Sequence, residues 1–94
     1  MYGTMFKLNI KPGHHDALLD VLKGSRPSKG MVAWFVMNPD QEDDWIGVAI
    51  FDSKEAYVAN ADNPEQHEMF IKVMEHLEGE PSWTDGHYVV AEIA

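Results

Sequence analysis

Cysteine is absent from this chain of 94 residues. Its absence excludes disulfide staples, thiolate metal centres and cysteine nucleophiles together. Basic side chains are scarce as well: seven Lys and Arg stand against sixteen Asp and Glu, a formal charge of -9. That field repels phosphate backbones and anionic lipid, so neither nucleic acid nor a membrane surface is an expected partner. Long apolar runs are missing too. The longest, Met31–Met37, is too short to cross a bilayer. The opening residues Met1–Lys7 lack the basic-then-apolar layout of a secretory signal, and a cytoplasmic location is expected.

What is present is a globular composition, 45 % hydrophobic and 24 % charged, of a length that makes one domain over residues 1–94. A chain this short buries roughly 60–65 % of its unfolded surface. With disulfides excluded, a metal or oligomerisation is the remaining source of extra stability.

Tyr2–Ile10 alternates, with Thr4, Phe6, Leu8 and Ile10 on one side, and reads as a strand that Pro12-Gly13 breaks. His14–Lys23 places Leu18, Val21 and Leu22 on one helical stripe with Asp16 and Asp20 opposite. The polar stretch Gly24–Gly30 is a loop by composition. Met31–Met37 and Trp45–Phe51 read as a hairpin of strands joined by an acidic, solvated loop that begins at Asn38-Pro39-Asp40. Asp52 and Glu55 have capping-box spacing and predict a short helix over Ser53–Ala59. Asn63-Pro64-Glu65-Gln66 opens a further helix carrying Phe70, Val73, Met74 and Leu77 on one face, ended by Gly79 and Pro81. Trp83 to Ile93 reads as a last strand around Asp85-Gly86, with its best alternation from His87 onward. The order β-α-β-β-α-β is that of an α+β, ferredoxin-like fold with a four-stranded antiparallel sheet.

The two middle strands are apolar on both faces: Val32, Trp34 and Val36 against Ala33, Phe35 and Met37, then Ile46, Val48 and Ile50 against Trp45, Ala49 and Phe51. Helices cover one face of such a sheet; an uncovered second face should be polar. The expectation is a homodimer through the sheet face, in which a second copy supplies the cover.

The run Met5-Phe6-Lys7-Leu8-Asn9-Ile10-Lys11-Pro12-Gly13 with Leu18-Leu19 resembles the first strand and helix of antibiotic biosynthesis monooxygenase-type domains. Phe51-Asp52-Ser53-Lys54-Glu55-Ala56-Tyr57 is similar to their exit from the third strand, and Asn63-Pro64-Glu65-Gln66-His67 with Phe70 to the start of their second helix. The resemblance implies a dimeric α+β barrel and a cofactor-independent monooxygenase acting on a small electron-rich aromatic or quinol-like substrate. Two alternatives stand beside it: a non-enzymatic dimeric barrel that binds a small apolar metabolite, and an isomerase or lyase of a small carbonyl metabolite. Haem-degrading relatives carry a tryptophan in the short helix, and Tyr57–Ala61 contains none.

Three residues are candidates for chemistry under that resemblance. His67, in the first turn of its helix at the edge of the apolar stripe, suits removal of a proton from a phenol or enol. Asn9 and Asn60 are candidate donors for the developing negative charge. Trp34, Tyr57 and Phe70 are candidate walls of an aromatic pocket. Each has a plainer role open to it: a solvated helix histidine, a turn-shaping asparagine, an aromatic of the core. The five histidines do not share ligand spacing, and no metal site is expected. His76, opposite the apolar stripe, is expected in solvent.

Overall fold

In the computed structural model, which describes Met1–Ala94, four strands form one antiparallel sheet. They are β1 (Tyr2–Leu8), β2 (Met31–Met37), β3 (Trp45–Phe51) and β4 (Ser82–His87), in the spatial order β2-β3-β1-β4. Between them run α1 (His15–Lys23), α2 (Lys54–Ala61) and α3 (Pro64–Met74). This is the expected split β-α-β arrangement, with the second connection divided into two helices.

Local chemistry sets most of the boundaries. The Ser53 hydroxyl accepts from Ala56 N–H at 3.1 Å and caps α2, so the cap lies one residue beyond the expected Asp52. Asn63 Oδ1 accepts from Glu65 N–H at 2.9 Å, and Pro64 fills the first position of α3. That helix stops at Met74 rather than running to Leu77. Leu77 instead forms an isolated bridge to Ile10, while Asn9 C=O accepts from Glu78 N–H at 2.8 Å. β1 correspondingly ends at Leu8, and Ile10 N–H donates to Asp44 Oδ1 at 3.0 Å. The acidic loop thus supplies a structural acceptor as well as solvated charge. His76 is also displaced from its expected place in solvent: half-buried, its Nδ1 lies 3.1 Å from His14 Nδ1 and ties the start of α1 to the segment after α3.

The largest correction concerns the C-terminus. β4 spans Ser82–His87, not Trp83–Ile93, because its partner runs out: His87 pairs with Tyr2, and Tyr88 N–H donates the last backbone bond, to Met1 C=O. Beyond it Val89, Val90 and Ile93 stand 95 %, 74 % and 99 % exposed.

The register assigns every strand residue a face. Leu8 pairs with Trp45, Phe6 with Gly47 and Trp83, Thr4 with Ala49 and Asp85, and these positions face the helices along with Trp34 and Val36. Met5, Val48 and Phe35, with Ile46, Ile50, Ala33 and Met37, form the opposite face. Apart from the Tyr88 ring against Gly3 at one end, nothing in the chain covers it: Phe35 is 66 % and Met37 62 % exposed. On the helix side the tight core of Leu8, Ile10, Leu18, Trp45, Val73 and Leu77 is gathered at one end of the sheet. The rest of that side is left as the floor of a cavity.

Candidate functional site

The cavity lies between the helix-facing side of the sheet and α2 and α3, with a volume of about 850 Å³. Its floor is Thr4 and Phe6 of β1, Ala49 and Phe51 of β3, Trp34 of β2, and Trp83 and Asp85 of β4. Period-two alternation delivers these residues: each is an every-other position of its strand. Gly47 belongs to the same face, and a Cβ there would run into the Phe6 ring, so the glycine lets that ring lie flat on β3. Phe6 and Trp83 then stack at 5.2 Å between centroids, and Phe70 of α3 reaches Trp83 at 6.2 Å. The result is an aromatic wall spanning sheet and helix.

The polar groups come from the helices and from β4. Tyr57 and Asn60 are three residues apart on α2, hence on one face, and both line the cavity. The Tyr57 hydroxyl donates to Asp85 Oδ1 at 3.0 Å. Burial first, and then the hydrogen bond to Asp85 and its charge, push the phenol above a tyrosine's ordinary pKa, so it stays protonated and remains a donor. Asn60 Oδ1 is buried and has no hydrogen-bond partner. An unpartnered buried acceptor carries a desolvation cost of about 1–3 kcal/mol, and with no surface open to the cavity it meets a bound molecule only when the side chain turns. His67, exposed on the first turn of α3, stands on the cavity rim three residues before Phe70. The mouth is closed on another side by the loop from Gly24 to Lys29, whose Ser25 hydroxyl approaches Met69 Sδ of α3 at 3.3 Å.

Five of the six residues singled out in the sequence, His67, Asn60, Trp34, Tyr57 and Phe70, therefore meet in one cavity. Asn9 does not join them: it lies past the end of β1, where its carbonyl holds Glu78. Asp85, inside the expected last strand, was not among the candidates. The alternation Trp83, Asp85, His87 was the signal that could have placed it on the inner face. No group of three or more His, Asp or Glu side chains is arranged to hold a metal.

No protein-family model and no curated protein matches the chain. Solved structures do. A monooxygenase from the gene ActVA-Orf6 of Streptomyces coelicolor, solved in complex with the ligand nanaomycin D, superposes with a TM-score of 0.82 at 16 % identity, over 99 % of this chain and 91 % of that one. A protein of unknown function from Nitrosomonas europaea gives 0.81 at 18 % identity, over 99 % and 93 %. A Chloroflexus aurantiacus protein assigned provisionally as an antibiotic biosynthesis monooxygenase gives 0.75 at 21 %, over 96 % of both chains. At these identities the likeness establishes the fold, which is the ferredoxin-like α+β fold of antibiotic biosynthesis monooxygenase-type proteins.

Proposed function

We propose that this protein is a cofactor-independent monooxygenase acting on a small electron-rich aromatic or quinol-like substrate bound in the cavity under α2 and α3. The observation that carries the reading is the Tyr57–Asp85 pair and the Asn60 amide in one cavity with a wall of Phe6, Trp83 and Phe70. An apolar cavity with a few converging polar groups takes a flat molecule and orients its hydroxyl. A neighbour of the same fold that was solved with nanaomycin D supports the same class of ligand.

In this mechanism the substrate ring stacks in the aromatic wall with its hydroxyl beside the Asn60 amide. His67 takes the hydroxyl proton from the rim and leaves an electron-rich anion. The Tyr57 phenol, kept protonated by burial, turns its single O–H from Asp85 to the negative charge that develops as oxygen adds to the ring. The substrate itself supplies the electrons. A naphthol plus dioxygen gives a naphthoquinone plus water: one oxygen atom becomes the new ring carbonyl, the other leaves as water, and the ring C–H and the O–H are both lost.

The same proposal includes a homodimer. The uncovered face with Phe35, Met37, Met5 and Val48 offers the apolar area that a second sheet would bury, and a stable interface needs about 800 Å² per partner. The test of the function is oxygen uptake with 1-naphthol, followed together with naphthoquinone formation. Stoichiometric uptake that His67→Ala abolishes supports the reading. Tight binding without uptake favours the non-enzymatic binding module, and conversion of a carbonyl metabolite without oxygen favours the isomerase or lyase.

A further inference from the structure

The chain has only seven basic side chains against sixteen acidic ones, yet the charged residues lining the cavity balance: Arg26 and Lys29 against Glu65 and Asp85. They are also separated. Arg26 and Lys29 sit on the loop that leads from α1 into β2, Asp85 on β4, and β2 and β4 are the opposite edges of the sheet. One side of the cavity is therefore cationic and the other carries the Tyr57–Asp85 pair. Neither cation is engaged. The ion pair in the molecule is Lys7 Nζ to Glu42 Oε2 at 3.5 Å, on the other face of the sheet, and no hydrogen bond involves Arg26 or Lys29. With a net charge of -9 there is no shortage of carboxylates that could have met them.

We infer that the cavity takes an aromatic molecule bearing a carboxylate, with the ring hydroxyl at Asn60 and Tyr57 and the carboxylate held by Arg26 and Lys29 at the loop. The inference deepens the proposed function by naming a substrate class for the same cavity. An arginine fork matches a carboxylate in plane and makes two parallel N–H···O bonds, and a lysine adds a point charge beside it. The volume of about 850 Å³ exceeds what a bare bicyclic phenol fills and leaves room for a substituent reaching the loop. In a field that repels anions at long range, this local pair also sorts acidic ligands into one orientation.

Two stable probes separate the terms: 6-hydroxy-2-naphthoate, with hydroxyl and carboxylate at opposite ends, and 2-naphthol, which lacks the carboxylate. Their affinities are read by quenching of tryptophan fluorescence, a measurement that needs no turnover. The expected result is that the wild-type ratio of affinities, naphthoate over naphthol, exceeds that of Arg26→Gln/Lys29→Gln by about fivefold or more at low ionic strength. The excess shrinks as salt is added. Arg26→Glu lowers naphthoate binding further and leaves 2-naphthol binding unchanged. A ratio that survives the double substitution overturns the inference, as does failure of both probes to bind. If the naphthoate preference depends on the loop cations but no oxygen is consumed, the oxygenase reading falls and the carboxylate inference stands.

Discussion

Tyr57 donates its phenolic hydrogen to Asp85 Oδ1 at 3.0 Å, joining a helix that precedes the cavity in the chain to the edge strand that follows it. The bond spans 28 positions of sequence and crosses the cavity wall where the candidate substrate hydroxyl is placed. It holds the phenol's single hydrogen until a stronger acceptor forms in the cavity. If Tyr57 stabilises developing charge, Tyr57→Phe lowers kcat for naphthol oxygenation by about tenfold to a hundredfold with little change in KM, since the lost interaction forms only in the transition state. Steady-state oxygen uptake checks this.

The same tyrosine sets an alkaline limit on stability. Burial and Asp85 raise its pKa above the ordinary value of 10.0, so the native state keeps a proton that the unfolded chain releases. This contribution is complete below pH 10 and is lost as pH rises through the native pKa. Tyr88, raised by burial, adds to the loss in the same window. Thermal midpoints measured across that range should fall less steeply for Tyr57→Phe than for the wild type, with the remaining slope belonging to Tyr88.

His67 is exposed on the first turn of α3 and makes no hydrogen bond through its side chain. His67→Ala is therefore expected to leave stability within about 0.5 kcal/mol while reducing turnover about a hundredfold or more. Denaturant unfolding and oxygen uptake on the same sample separate the two effects. A large loss of stability would assign the imidazole a structural role.

Gly47 carries the Phe6 ring, and any Cβ there must displace it. Gly47→Ala should cost about 1–3 kcal/mol from overpacking and weaken 2-naphthol binding, because Phe6 is one leaf of the Phe6–Trp83–Phe70 wall. Leu18→Ala, in the fully buried core away from that wall, is expected to cost about 2–5 kcal/mol without the same effect on binding by the folded protein.

The open sheet face makes a prediction about assembly. Phe35→Asp and Met37→Asp put charge where a second sheet would pack, so either should convert a dimer to monomer in sedimentation equilibrium. A wild-type protein that sediments as a monomer, its apolar face bare, would refute the dimer.

Alternation in the first strand, the doubly apolar runs Met31–Met37 and Trp45–Phe51, and the Asn63-Pro64 helix start are local patterns, and they determined by themselves the α+β class, the order of the elements along the chain and the apolar second face. Of the six candidate residues that the family resemblance put forward, five line the cavity. What the tertiary structure decided depends on contacts between segments far apart in the chain. Val89, Val90 and Ile93 have the pattern of a strand, but a strand needs a neighbour, and β1 offers none beyond Tyr2. Leu77 has helical spacing but is taken by Ile10, and Asn9 is turned out of the cavity by the same junction. Asp85 lies in the expected last strand but gains a partner only when β4 pairs with β1 and sets it opposite Thr4, bonded to Tyr57. Short-range periodicity gives each segment its form, whereas a polar group becomes part of a site only when the sheet register and the helix packing bring its partner across the cavity.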